Sequence, residues 1–135
     1  MKLILSLLIY FAIVTNLHSQ VKIYHVNYIA EFDTVKNYPS YTLWMISPRM
    51  LNCEEKTPRS PSFYADNEFN ISDFNKDYKR SGYDRGHMMP ASDNQCAVDS
   101  VMRESFYFSN ISPQHPQLNR IDWRNLEIHT RNLAN

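Results

Sequence analysis

Glycine is almost missing from this sequence. Average usage would supply about nine in a chain of this length, and the 135 residues hold two, Gly82 and Gly86. Backbone freedom is therefore withheld everywhere except within Ser81-Gly82-Tyr83-Asp84-Arg85-Gly86-His87-Met88-Met89-Pro90. There a glycine offers either access to positive φ or close approach by another part of the chain. Cysteine is as scarce. Cys53 and Cys96 occur without CxxC or HxxxH spacing, and His115 and His129 are scattered, which argues against zinc. Net charge is absent as well: 14 Lys and Arg balance 14 Asp and Glu, so no global field draws in a polyanion. Repeats and low-complexity tracts are lacking. The single long apolar run, residues 3–14, falls short of the ~20 residues that span a bilayer as a stable anchor.

What is present begins with that run. Lys2, the apolar stretch Leu3 to Val14 and the polar Thr15-Asn16-Leu17-His18-Ser19-Gln20 have the three-part design of a secretory signal peptide. Cleavage is expected after Ser19, giving a secreted or periplasmic protein, with an uncleaved anchor as the alternative. Residues 20–135 suffice for one domain with a modest core. In an exported chain, Cys53 and Cys96 are expected to bridge rather than remain as two buried thiols. A local basic cluster stands out against the neutral background. Lys76, Lys79, Arg80 and Arg85 lie within ten residues, opposed only by Asp77 and Asp84, and Arg120, Arg124 and Arg131 follow later.

Period-two alternation of Tyr24, Val26, Tyr28, Ala30 and Phe32 predicts one half-buried strand over residues 24–32. Asn37-Tyr38-Pro39-Ser40 carries turn chemistry. Tyr41 to Ile46 is apolar or β-branched on both faces and predicts a second, more central strand. Ser47 to Ser62, with Pro48, Pro58 and Pro61, reads as a loop anchored by Cys53. Ser72 is placed to cap a short helix ending before Gly82. Val98 to Glu104 reads as a short helix and Phe106 to Phe108 as a short strand. Gln117 to Ala134, free of Gly and Pro, reads as a helix beginning just after Pro116. On it Asn119, Trp123, Glu127 and Arg131 form one stripe at four-residue spacing. Leu118, Ile121, Leu126 and Leu133 are expected to make its apolar contact.

Taken alone, Asp84-Arg85-Gly86-His87 reads as a tight turn. Joined to Phe108-Ser109-Asn110-Ile111-Ser112-Pro113-Gln114, Leu118-Asn119-Arg120 and Trp123-Arg124-Asn125-Leu126-Glu127, in that order and spacing, it resembles the DNA/RNA non-specific endonucleases of the ββα-metal group. The resemblance runs from about Ser81 to Arg131 and is looser over Tyr24 to Tyr78. It implies an α+β, ββα-metal (His-Me finger) fold with N-terminal antiparallel strands, a metal-binding helix and an incomplete sheet. Members of the family continue beyond this helix, so the resemblance also implies an N-terminal part of the domain, either an interrupted reading frame or a minimal version.

The resemblance further implies site roles. His87 would be the general base, since imidazole titrates near neutral pH. Asn119 would bind Mg²⁺, or Mn²⁺ or another divalent cation, through its amide oxygen. Arg85 would clamp phosphate, helped by Arg131 or Arg124. Glu127 would hold a water in the metal's shell, a role compatible with pairing to Arg131. Either Arg49 or Arg59 would supply an upstream positive charge. Asp84 and Trp123 are expected to be structural, and Met88 and Met89 core filler. The implied partners are DNA and RNA, contacted mainly through phosphate, so base and sugar discrimination should be slight. The alternatives are a catalytically silent nucleic-acid-binding fragment and a structural metal domain built on Cys and His.

Overall fold

The computed structural model describes residues 20–135, and the expected signal peptide, residues 1–19, lies outside them. The chain opens with an antiparallel meander of β1 (Gln20–Tyr24), β2 (Tyr28–Asp33) and β3 (Tyr38–Trp44), in the order β1-β2-β3. The single strand expected over residues 24–32 is therefore two. They are separated by a turn at His25 to Asn27, in which the His25 N–H donates to the Tyr28 carbonyl at 3.0 Å. Ile23 pairs with Ala30 facing inward and Tyr24 with Ile29 facing outward. The alternation thus persists in the sequence while the two faces exchange at the turn.

The second hairpin is built by Asp33 and Asn37. The Asp33 carboxylate accepts the N–H groups of Val35 and Lys36, each at 2.9 Å. Asn37 takes φ 61°, a left-handed geometry that Asn tolerates. Tyr38 to Ser40, read as a turn, instead begins β3, with a register shift opposite Glu31 and Phe32. The expected ranking of strands is reversed: β2 is central and β3 lies at an edge. That edge position admits Pro39 and leaves Leu43 63% exposed.

Three short helices follow, α1 (Pro48–Leu51), α2 (Asn75–Tyr78) and α3 (Asp99–Glu104). Ser72 does not cap the second: Phe74 stands at the cap position, and the residue before it, Asp73, accepts the Asn75 N–H on its Oδ1 at 2.7 Å. Cys53 and Cys96 are bridged with a Cα–Cα distance of 5.7 Å. Backbone bonding runs beside the bridge, with the Thr57 N–H on the Gln95 carbonyl at 2.8 Å and the Gln95 side chain on the Leu51 carbonyl at 2.7 Å.

A second, two-stranded ribbon joins β4 (Asp84–His87) to β5 (Ile111–Gln114), antiparallel. Phe106 to Phe108 does not form the expected strand. It makes one bridge, Tyr64 to Tyr107, and passes into a 3₁₀ turn at Phe108–Asn110. The strand comes one turn later and contains Pro113, which a ribbon paired on one side accommodates. The long helix is present, with a π-helical turn at Leu118–Trp123 leading into α4 (Arg124–Ala134). Ribbon and helix together form the expected ββα unit of an α+β fold. The main core lies between the meander and the ribbon and includes Ile23, Tyr28, Phe32, Met89, Phe108 and Ile111. Full burial of each such side chain is worth roughly 1.5–3 kcal/mol. No helix among the described residues is long and apolar enough to cross a membrane.

The helix docks the opposite way round from expectation. Asn119, Trp123, Glu127 and Arg131 face the protein, whereas Leu118, Ile121, Leu126 and Leu133 are exposed. The inward stripe is polar because its partners are polar.

Candidate active site

The two glycines serve the two purposes anticipated for them, one each. Gly82 sits at φ 85° in open space. Gly86 has no positive φ, but a Cβ there would collide with the Gln114 side chain, coming within 2.5 Å of its Cγ and nearer still to Cδ and Oε1. In the ribbon Asp84 pairs with Gln114, Gly86 with Ser112 and His87 with Ile111. Asp84, Gly86, Ser112 and Gln114 therefore share one face, and Arg85 and His87 project from the other.

On that second face Phe63 and Phe106 form an aromatic wall. The Arg85 guanidinium lies over the Phe63 ring at 4.4 Å, and its Nη1 donates to Asn75 Oδ1. Asn75 is itself fixed, its Nδ2 donating to the Phe63 carbonyl at 3.2 Å. The His87 ring meets Phe106 edge-on at 4.7 Å and Phe63 at 5.5 Å. Its Nε2 is buried without a hydrogen-bond partner among the described residues. Burial, with the nearby Arg59 charge adding to it, pushes the imidazole down to about 3.

The chain beyond His87 is clamped by Asn110, which is wholly buried. The Asn110 Nδ2 donates to the carbonyls of Met89 at 2.9 Å and Ser105 at 2.8 Å, and its Oδ1 accepts the Met89 N–H at 2.8 Å. Met89 is core filler, as expected. Trp123 orients the helix by donating its Nε1–H to the His87 carbonyl at 3.0 Å.

Asp84 orients the helix start. It accepts Arg120 through two nitrogens at 2.8 and 2.7 Å and the Asn119 Nδ2 at 3.0 Å. The Arg120 bonds, then the Asn119 bond, hold its carboxyl below the usual range. Because a carboxylate only accepts, the Asn119 nitrogen must face Asp84. Its Oδ1 is left with no partner among the described residues. A residue four along an α-helix lies about 40° round from the last. The wider π turn cancels part of that drift and keeps Asn119 and Glu127 toward the same pocket. Burial raises the Glu127 carboxyl, against the lowering influence of Arg131.

These elements enclose a cavity of 240 Å³ lined by Arg59, Phe63, Arg85, His87, Ala91, Asn119, Arg124 and Glu127. Four of the five expected site residues, Arg85, His87, Asn119 and Glu127, meet in it. The fifth, Arg131, does not line it. Its Nη1 donates to the fully buried Asp93 at 3.0 Å, lies 4.0 Å from Glu127, and so steadies Glu127 from behind. Of the two upstream arginines the cavity takes Arg59, whose guanidinium lies over Phe106 at 5.3 Å. Asn75 and Phe63 have no site role in the sequence reading, and Asn110 enters it only as part of the run Phe108 to Gln114. The cavity offers a neutral imidazole, three guanidinium groups and two oxygen ligands, a set suited to binding a phosphate and deprotonating a water beside it. Among the described residues no group of three or more His, Cys, Asp or Glu is placed to hold a metal ion.

The family model for DNA/RNA non-specific endonucleases matches residues 8–135. Human "Nuclease EXOG, mitochondrial" is 33% identical over 119 residues, covering 82% of this chain and 30% of that protein. "Nuclease 1, mitochondrial" of Schizosaccharomyces pombe is 36% identical over 112 residues, covering 79% and 34%. Human "Endonuclease G, mitochondrial" is 44% identical over 60 residues, covering 44% and 20%. The solved EndoG/EndoGI complex contains a chain that superposes with a TM-score of 0.74 at 32% identity, covering 84% of this chain and 47% of that one. The chain thus spans about a third or less of the length of these curated relatives.

Proposed function

Because the chain belongs to the DNA/RNA non-specific endonuclease family, we propose that it hydrolyses phosphodiester bonds of DNA and RNA with His87 as general base. The observation that carries this reading is the convergence of His87, Asn119, Glu127, Arg59, Arg85 and Arg124 on one 240 Å³ cavity. The donor set fits Mg²⁺. Asn119 Oδ1 is a hard, neutral, unpartnered oxygen, Glu127 is a nearby carboxylate, and so sparse a set suits an ion that keeps several waters. Asn119 would hold the ion and Glu127 a water beside it. When bound, Mg²⁺ supplies Lewis-acid polarisation of the phosphodiester and stabilises charge on the departing 3′ oxygen.

The remaining roles belong to the chain. Arg85, backed by Phe63 and Asn75, presents a fixed guanidinium to a phosphate oxygen, and Arg59 and Arg124 add positive charge around it. His87 Nε2, unpartnered and neutral, takes the proton of the attacking water. A phosphodiester anion offsets the Arg59 charge that helps depress His87 and raises the basicity of the imidazole when substrate is in place. The contacts address phosphate and leave bases and sugars largely unread, which supports action on both DNA and RNA. The test is nicking of a supercoiled plasmid and of a structured RNA with Mg²⁺, with chelator, and by His87→Ala. Cleavage that survives chelation, or that His87→Ala does not reduce, overturns the reading.

Export with cleavage near Ser19 is part of the same proposal. The three-part N-terminus and the Cys53–Cys96 bridge support it, since disulfides persist in oxidising compartments. "Mitochondrial" in the names of the relatives is a property of those proteins. Intact-mass measurement of the protein recovered outside the cytoplasm checks it, and a mass that retains residues 1–19 refutes it.

A further inference from the structure

Arg85 has a second cavity on its other side. It encloses 320 Å³, within the range of small-ligand pockets, and is lined by Asn75, Tyr78, Lys79, Tyr83, Asp84 and Arg85. Arg85 is common to this cavity and the catalytic one, which places the two side by side. Its charge is positive in effect, because the Asp84 carboxylate is already committed to Arg120 and Asn119, while Lys79 makes no ion pair among the described residues. Tyr83 is 52% exposed, and no described ring packs on it.

The loop that presents these groups is held in an uncommon shape. Arg80 takes φ 64°, a left-handed conformation that costs a non-glycine residue energy, and Gly82 takes 85°. Ser81 pins the bend, its hydroxyl donating to the Tyr78 carbonyl at 2.9 Å and accepting the Tyr83 N–H at 3.1 Å. Lys79 and Tyr83 are thereby set on the wall of the cavity beside Arg85. A cationic group next to an open aromatic face is the pairing used to track a single strand, with phosphate on the one and a base stacked on the other.

We propose that the cavity between Lys79 and Tyr83 is a subsite for the nucleotide adjacent to the scissile phosphodiester, Lys79 holding its phosphate and Tyr83 stacking its base. The subsite rests on the nuclease reading above and adds strand affinity, without base identity, to a catalytic pocket that binds one phosphate. It also assigns a purpose to the basic cluster around residue 79, which the catalytic cavity leaves unused apart from Arg85.

The test compares two substrates: a fluorescein-labelled single-stranded 12-mer, and bis(p-nitrophenyl) phosphate, which occupies the catalytic pocket alone. Lys79→Ala and Tyr83→Ala should each raise KM for the 12-mer by about tenfold, a loss at least about fivefold larger than on the small diester. Tyr83→Phe, which keeps the ring, should restore KM. Lys79→Ala should reduce the slope of log affinity against log salt by about one. Lys22→Ala, on β1 and away from both cavities, serves as the control. Equal losses on the two substrates, or no loss on the 12-mer, overturn the subsite. Anisotropy of the labelled 12-mer under chelation separates the two readings. If the parent cleaves neither substrate but binding still weakens in both variants, the nuclease reading falls and the subsite stands.

Discussion

Replacing Gly86 by alanine adds one methyl group at the centre of the site-bearing strand, and its consequence follows from a single neighbour. The new Cβ would fall well inside the 3.0 Å that real Cβ atoms respect, against three atoms of the Gln114 side chain. Gln114 is 6% exposed, so the displaced side chain has no open space to enter. Overpacking of this kind costs about 1–3 kcal/mol. Gly86 has no positive φ, so alanine suits the backbone and returns about 0.4–1 kcal/mol by restricting the unfolded chain. The expected net loss is about 1–2 kcal/mol. It should appear in urea unfolding as a lower midpoint with an unchanged slope. Gln114 is the informative second site because its Oε1 is buried without a partner, so truncating it sacrifices no hydrogen bond from that atom. In Gly86→Ala/Gln114→Ala the obstruction is gone, and the double variant should be about 1 kcal/mol or more stabler than the sum of the single changes predicts. A neutral Gly86→Ala, or strict additivity in the double variant, refutes the account of why glycine is needed here.

Two further outcomes follow from the same geometry. His87 is held near 3 in the folded protein against about 6.5 when unfolded, so between those values the unfolded chain binds a proton that the folded chain does not. Stability should therefore fall as pH drops through 6.5, with a limiting slope of about 1.4 kcal/mol per unit. Glu127 and Asp93, raised by burial, contribute with the opposite sign, so His87's share is the difference between the parent and His87→Gln; identical pH profiles would refute it. The Cys53–Cys96 bridge closes a sequence separation of 43 residues, and Cys53→Ser/Cys96→Ser should cost about 4 kcal/mol in the chain-entropy view. Denaturant midpoints of the parent with and without reductant should show the same loss, and unchanged midpoints would refute it.

Local chemistry was legible where it depends on residue type. Asp84 to His87 alone reads as a tight turn, and it is the resemblance carried by its order and spacing with the run Phe108 to Gln114 and the helix from Gln117 that makes these blocks legible as a site. The face assignments were less legible. Tyr24 to Phe32 alternates without interruption, yet Tyr24 and Tyr28 lie on opposite faces, because a turn at residues 25–27 exchanges them without disturbing the period. Pro113 lies in a strand although proline lacks the N–H that a strand interior uses, and nothing in a one-dimensional pattern reveals that a ribbon pairs on one side. Arg59 could not be separated from Arg49 either. Its position depends on the bridge between Cys53 and Cys96 and on Thr57 bonding to Gln95, contacts that join segments about 40 residues apart.

The long helix exposes the deepest reason for such failures. Hydrophobic patterning assigns Leu118, Ile121, Leu126 and Leu133 to the core, and the structure leaves all four exposed. Its inward face is instead held by directed bonds at successive levels: Asn119 to Asp84, Trp123 to the His87 carbonyl, and Arg131 to Asp93. Each neutral bond of this sort contributes about 0.5–1.5 kcal/mol net, and one to a charged group about 1.5–3. Those sums can dock a helix, but they act differently from apolar burial, which tolerates sliding. A hydrogen bond to the His87 carbonyl fixes the distance between the helix and the His87 imidazole. The bond to Asp84 fixes which way the Asn119 amide faces, and the bond to Asp93 holds the Arg131 charge 4.0 Å from Glu127. The stripe is therefore polar because it aligns two halves of a site.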